Sequence, residues 1–299
     1  MKNHEDPEIY NGGNPMRKTG HTYALSVSRE NLIRENWQKR LIESGIRDLE
    51  CSCKMYPASG ELKEMLEKLE PFIKTGHCRI ASLHLPYSWP SGESPSQPDD
   101  FSRNLCVERL KHLIEFLAPL EIKNATLHPG RLFNGLERSE GVEIVRRTVK
   151  SLIPTVEKYG MNLNLEICPR GLIGGTPEEM EALVEGMPEC VGICFDVNHA
   201  DCRYAEVPEW IARLGKRIRT FHISDCDGID ECHWFPGFGI LDWERIMQEI
   251  NRLDHDCVLI WEIHQDAFKL PPFVEREADP VWFLRKIVKN MNWLRSLGN

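Results

Sequence analysis

The sequence predicts an α/β fold, a single (β/α)8 barrel, on three observations. Strand-like and helix-like segments alternate along the whole chain of 299 residues, the pattern of a parallel sheet wrapped by helices. Six strand-like runs end on a metal-ligand type of residue: 80–84 (His84), 125–128 (His128), 163–166 (Glu166), 192–196 (Asp196), 219–222 (His222) and 258–262 (Glu262). Barrel strands deliver their ends to one rim, where such folds carry their active sites. Segments after strands are long and rich in Pro and Gly (85–100, 129–140, 223–241, 263–279), whereas those from helix to strand are short, as at 159–161. Loops of that length are more often functional than idle.

In chain order, the first strand is expected at 22–26. A helix follows over 30–44, with Ile33, Trp37 and Leu41 on one face. The second strand is placed at 46–50 and its helix at 61–73. The third strand, 79–84, leads to a helix at 102–117 with Leu110, Leu113 and Leu117 in register. Strand 123–128 precedes a helix at 141–159 carrying Val142, Val145, Val149 and Leu152, which Pro154 is expected to kink or shorten. After strand 162–166, Thr176-Pro177-Glu178-Glu179 reads as a helix start, with Thr as cap, Pro at the first position and acids in the first turn. Strand 191–196 and helix 207–214 follow. Strand 218–222 leads to helix 242–253, with Trp243, Ile246, Met247 and Ile250. Strand 257–262 and helix 280–297 complete eight units. They fill residues 21–299, and no composition break marks a second domain; a barrel of this kind needs about 250 residues.

Composition narrows the function. With 41% hydrophobic and 28% charged residues the chain reads as soluble and globular. No apolar run approaches the roughly 18–20 residues that span a bilayer. Residues 1–20 are polar, without a signal-like core, and are expected to be a flexible extension. The net charge of −9 disfavours an electrostatic nucleic-acid surface. The 11 cysteines show no repeated spacing, which points to free thiols in a reducing cytoplasm, and Cys51-x-Cys53 reads as two such thiols. There is no phosphate-binding glycine loop, no strand-linked G-x-G-x-x-G and no G-x-S-x-G nucleophile turn.

The strand ends carry the chemistry. Glu166, Asp196, His222 and Glu262 come from four consecutive strands. Three carboxylates and an imidazole suit a divalent ion such as Mn, Mg, Co or Zn, with each added histidine moving the preference from Mg toward Zn, Mn or Co. A second group surrounds them: His84, His128, His199, Glu231 and His233, candidates to bind substrate or additional metal. His21 and His264 read as structural, and His77, His112 and His255 as surface.

The series His84, His128-Pro-Gly, Glu166, Asp196-x-x-His199, Phe-His222-x-x-Asp, His233-x-x-Pro-Gly-x-Gly, Glu262 resembles the xylose-isomerase-like TIM-barrel superfamily. That superfamily holds sugar isomerases and epimerases and the endonuclease IV-type apurinic endonucleases, and the resemblance covers about residues 21–297. In the epimerase branch it implies Glu166, Asp196, His222 and Glu262 as ligands of one ion. Glu166 and Glu262 would also be catalytic, moving a proton through a metal-stabilised enediolate, and His199 would contact a substrate oxygen. The implied substrate is a small sugar or cyclitol. The ketose 3-epimerase pattern expects Arg where this chain has Gly228 and Glu where it has Leu172. In the endonuclease branch, His84, His128, Glu166, Asp196, His199, His222, Glu231, His233 and Glu262 would hold up to three Zn in a phosphodiesterase, with Glu231 standing where that branch has Asp. The isomerase or epimerase is the leading expectation. Trp37 fits either barrel packing or a subunit interface.

Overall fold

The computed structural model describes residues 20–169, 171–201, 203–263 and 281–297. Eight parallel strands, β1 (Thr22–Ser28), β2 (Asp48–Ser52), β3 (Arg79–His84), β4 (Asn124–Leu127), β5 (Asn162–Glu166), β6 (Val191–Asp196), β7 (Ile218–Ile223) and β8 (Val258–Trp261), close in sequence order into a barrel. Closure pairs β1 with β8, Thr22 opposite Val258. Helices α1 (Arg29–Leu32), α2 (Glu35–Ser44), α3 (Ser59–Lys74), α4 (Asp100–Leu117), α5 (Arg138–Lys158), α6 (Pro177–Val184), α7 (Val207–Leu214), α8 (Trp243–Arg252) and α9 (Trp282–Leu297) lie between the strands and after the last. The predicted (β/α)8 barrel is the observed fold. The expected extension over residues 1–20 lies outside the described residues except for Gly20, whose N–H donates to Asp256 at 2.9 Å. Among the described residues no helix is long and apolar enough to cross a membrane.

Where element ends depart from the sequence reading, local hydrogen bonds explain it. The helix predicted over 30–44 is two helices. Arg34 is extended (φ −89°, ψ 127°) and starts α2, while the Gln38 side chain donates to the Leu32 carbonyl at 2.8 Å, satisfying a carbonyl at the end of α1. Neither Gly nor Pro announces this break. Helix α4 begins two residues earlier than predicted because Asp99 accepts from the Ser102 N–H at 2.7 Å. Helix α5 begins at Arg138, where Glu140 accepts from the Glu137 N–H at 2.8 Å, and it continues through Pro154. Thr176 caps α6 as predicted, accepting from Glu179. Trp37 packs against the hydrophobic core.

The two faces of the strands have opposite chemistry. Odd-numbered positions such as Leu25, Leu49, Leu83, Leu127, Leu165, Phe195, Phe221 and Trp261 are fully buried and join helix residues in one apolar cluster. Burying each such side chain contributes about 1.5–3 kcal/mol, so the layer between strands and helices holds the barrel together. Even-numbered positions line the interior. Glu50, Ser82, Asn124, Thr126, Asn164 and Thr220 lie there as a buried polar layer below the rim, with Ser26 half-buried beside them, where such barrels commonly place branched apolar residues.

Two register shifts set which side chains reach that interior. Between β2 and β3, Leu49 faces Ile80 but Glu50 faces Ser82. Between β6 and β7, Ile193 faces Ile218 but Cys194 faces Thr220. Each shift adds one residue to β3 or β7. Side chains alternate faces along a strand, so the extra residue is what turns His84 and His222 inward.

Candidate functional site

Four strand ends converge at the rim. Glu166 closes β5, Asp196 closes β6 and His222 lies in β7. Glu262 follows β8 by one residue and is tied to β7 through its N–H to the Ile223 carbonyl at 3.2 Å. Each offers one ligand atom, and these atoms lie within 4.8 Å of one another. From His222 Nδ1 the distances are 3.2 Å to Glu166 Oε1, 3.1 Å to Glu262 Oε2 and 3.7 Å to Asp196 Oδ2. Glu166 Oε2 and Asp196 Oδ2 are buried without a hydrogen bond, although Glu166 Oε2 lies 3.1 Å from His84 Nε2 and 3.0 Å from His128 Nε2. Buried carboxylate oxygens are costly unless a donor or a cation completes them. Oxygen atoms left in this way beside an imidazole fit a divalent cation.

Electrostatics follow from this crowding. Burial would raise the Glu166 carboxyl, but the positive charge of His128 and His222 holds it well below its ordinary range. Glu262 is likewise lowered, against burial, by His222 and His233. Burial would lower His222, yet the anions around it, Glu262, Glu50 and Glu166 among them, lift it well above the usual imidazole value. His84 is lifted to about 9, its burial outweighed by Glu166. His199 is lifted to about 10, its burial outweighed by Asp196, Glu231 and Glu166.

The surrounding histidines are oriented by the backbone. Nδ1–H of His84 donates to Leu85 O at 3.0 Å, that of His199 to Ile167 O at 2.8 Å, and that of His233 to Glu262 O at 3.1 Å. Each bond places a proton on Nδ1, so that Nε2 is the ring atom that would serve as a ligand. Three further groups result, each with ligand atoms within 4.8 Å: His84, His128 and Glu166; His84, His222 and Glu262; and His199, Glu231 and His233. Glu231 is exposed, and its carboxyl is lowered first by its bond with His199. Beside His128 a cavity of about 320 Å³ opens between the loops after β3 and β4. Tyr87 and Trp89 line it with Arg131 and Phe133, and Tyr87 stacks on His128 at 5.1 Å between ring centres. The turn at Pro129-Gly130 is tight. A side chain on Gly130 (φ +104°) would come within 2.4 Å of Ser96 Oγ.

The loop from β7 to α8, which carries Glu231 and His233, is built around Asp225. This fully buried carboxylate accepts from the N–H groups of Cys226, Gly237 and Leu241 and from Trp243 Nε1, at 2.8–3.2 Å. Asp225 and Trp234 exchange backbone hydrogen bonds at 2.8 Å. Gly239 packs so closely that a Cβ would lie 2.1 Å from the Cys226 carbonyl. His233 itself has φ +47°, a left-handed conformation that a non-glycine residue keeps only when its surroundings impose it.

All nine candidates named from sequence therefore fall at one end of the barrel. Two contributors were not among them. Asp225 belongs to the motif after His222, but the sequence does not reveal its anchoring role. Glu50 lies inside the barrel, and its signal was the alternation Asp48, Glu50, Ser52 against Leu49, Cys51, Cys53. With β2 placed at 46–50, Glu50 became a terminal residue; the strand runs to Ser52. Of the remaining histidines, His21 accepts from the Cys257 N–H at 3.1 Å, a structural role. His77 and His112 are exposed. His255 is half-buried and not on the open surface, because its Nε2–H donates to Ile218 O at 2.7 Å. His264 lies outside the described residues.

Comparisons with known proteins agree on the architecture. The family model described as a xylose isomerase-like TIM barrel matches residues 41–297. Uncharacterized protein MJ1311 of Methanocaldococcus jannaschii is 28% identical over 185 residues, which span 59% of this chain and 62% of that relative's length. Among solved structures, a D-tagatose 3-epimerase-like protein superposes with a TM-score of 0.72 at 22% identity, over 92% of this chain and 96% of its own. The D-psicose 3-epimerase of Clostridium cellulolyticum H10 superposes with a TM-score of 0.73 at 14% identity, over 93% and 99%. At these identities the structural likeness concerns the fold.

Proposed function

The chain belongs to the xylose isomerase-like TIM-barrel family, and from that premise we propose that it is a divalent-metal-dependent isomerase or epimerase of a small sugar or cyclitol. The observation that carries this reading is the convergence of Glu166, Asp196, His222 and Glu262 within 4.8 Å. These four residues would hold a Mn, Mg, Co or Zn ion. Once bound, the ion would supply positive charge to polarise a substrate carbonyl and offset an enediolate. The names of the structural neighbours, sugar epimerases, support the substrate class.

The chain's own groups account for proton movement. Glu166 and Glu262 come from β5 and from the end of β8, so they approach His222 Nδ1 from different sectors of the barrel. Both carboxylates are held ionised by neighbouring imidazoles, the state a general base requires. One takes the proton from the carbon next to the carbonyl, and the other returns it. His84, His128, His199 and His233 hold hydroxyls through their ring nitrogens. Tyr87 and Trp89 wall the mouth beside His128 and limit water. A cytoplasmic setting belongs to the same reading, supported by ten described cysteines that are all free.

The test is carbon–hydrogen exchange. Metal-loaded protein is incubated with a panel of ketoses and inosose-like cyclitols in deuterated water and followed by proton NMR. The expected result is ion-dependent loss of one signal next to the carbonyl, abolished in Glu262→Gln. A second reading has its own observation, the His199–Glu231–His233 group beside His84–His128–Glu166. Those groups would suit a three-zinc phosphodiesterase, in which the ions supply phosphate binding and activation of the nucleophile. No exchange on any panel member, with nicking of an abasic-site oligonucleotide, would transfer the assignment to that reading.

A further inference from the structure

Glu50 is fully buried inside the barrel, below the rim. Its Oε1 accepts from Ser26 Oγ at 3.0 Å and its Oε2 from Ser82 Oγ at 2.8 Å. The adjoining strands put these three residues opposite one another, Ser26 beside Glu50 and Glu50 beside Ser82. Across the interior, His222 Nε2 lies 3.3 Å from Glu50 Oε1 and 3.4 Å from Oε2. The other ring nitrogen, Nδ1, faces Glu166, Asp196 and Glu262.

We propose that Glu50 is a positioning residue: it fixes His222 with its proton on Nε2 and so reserves Nδ1 for a divalent cation at the Glu166–Asp196–Glu262 cluster. This rests on the metal-binding reading given above. An ionised carboxylate only accepts hydrogen bonds, so the contact with Glu50 requires a proton on Nε2; the same rule puts a second proton on Nδ1, 3.2 Å from Glu166 Oε1, and that is the proton a cation would displace. The ring plane is held as well, because His84 stacks on His222 at 5.5 Å between centres and 15° between planes.

A contrast among the histidines supports the assignment. His84, His199 and His233 each use Nδ1–H on a backbone carbonyl, so that Nε2 is the ring atom that would coordinate. His222 is inverted. It lies within β7, where the carbonyls are engaged in the sheet, and its own carbonyl accepts from the Val197 N–H. A side-chain carboxylate from β2 takes the place of the carbonyl. The two serines supply the donors that keep that carboxylate in place, which a buried anion otherwise lacks. A carboxylate behind a ligating imidazole orients the ring and makes it a stronger ligand.

The experiment compares wild type with Glu50→Gln, which keeps the shape and removes the charge. Mn2+ binding is titrated through the EPR signal of free Mn2+, and circular dichroism monitors the metal-free fold. Zinc-loaded, 15N-histidine-labelled protein reports the Nε2–H proton of His222 by NMR. The expected result is Mn2+ binding weakened about 10- to 100-fold, an upfield shift of the Nε2–H signal and an unchanged fold. Ser82→Ala keeps the carboxylate but removes one of its donors. It should show the same two changes at smaller size, and it decides the matter if Glu50→Gln does not fold. Unchanged Mn2+ affinity in the folded variant overturns the proposal, as does weaker binding with an unmoved Nε2–H signal. Wild type that binds no divalent ion fails the metal reading and this inference together, whereas equal binding by wild type and variant fails the inference alone.

Discussion

Glu166, Asp196 and His222 are strand residues, whereas His199, Glu231 and His233 sit on the loops after β6 and β7. The strand-held residues are fixed by the ladder itself and are essentially fully buried. Glu262, one residue past β8, is tied to the same frame by its bond to Ile223. The loop-held residues owe their positions to different supports. His199 hangs from the Ile167 carbonyl, and His233 depends on Asp225 and on a left-handed backbone. A strand end cannot shift without breaking the barrel, but a loop can. The strand-held set is therefore common to the epimerase and the phosphodiesterase readings, and the loop-held set distinguishes them.

Mutations that separate the two sets should differ sharply in effect. Glu166→Gln removes a carboxylate that belongs to the four-residue cluster and also to the His84–His128 group. Turnover of the metal-loaded protein should fall by about 10³-fold or more, with an unchanged circular dichroism spectrum; near-wild-type turnover would break the assignment. Asp225→Ala removes the acceptor of four hydrogen bonds from a fully buried site. Stability in urea should drop by about 2–4 kcal/mol, since each stranded buried donor costs about 1–3 kcal/mol and part of the loop can relax. The strand-held ion should remain bound. Loss of that ion would show that the two sets are not independent. His233→Ala is expected to be milder, with KM raised about tenfold, kcat little changed and one ion retained.

The smallest effect is one of pH, and its sign follows from the lifted imidazoles. In the metal-free protein His84, at about 9, and His199, at about 10, hold protons at neutral pH. A raised value stabilises the fold fully below the ordinary imidazole range, and that contribution is lost as pH rises through about 9–10. The imidazole that would hold the strand-end cation is His222, which is lifted well above the usual value by the anions around it; it must lose a proton to bind, so binding at neutral pH displaces protons. Apparent affinity should therefore rise with pH between 6 and 9, roughly tenfold per unit for each proton displaced. Titration calorimetry in buffers of different ionisation enthalpy counts those protons, and a flat profile would contradict the protonation assigned to His222.

The fold was legible because strand-like and helix-like runs alternate eight times, with long Pro- and Gly-rich loops after four of the strands. The site residues were legible by type and place, since a His, Asp or Glu that ends an apolar run is easy to notice. Glu50 was not, because an interior position reveals itself only through alternation, and a strand placed two residues early hides it. The inward aim of His84 and His222 depends on one extra residue in β3 and in β7, which no residue type announces. The break between α1 and α2 likewise rests on a side-chain bond from Gln38 and not on Gly or Pro. Local periodicity reports single elements; cross-barrel contacts depend on register between them.

The central claim, a single cation held by the strand ends, is tested most directly by metal stoichiometry. The protein is loaded with Mn2+ and Zn2+, freed of weakly bound ions by gel filtration and measured by elemental analysis. The account predicts close to one ion per chain, lost in Glu166→Gln and retained in His233→Ala. Close to three zinc ions per chain, falling when His233 is replaced, would contradict it.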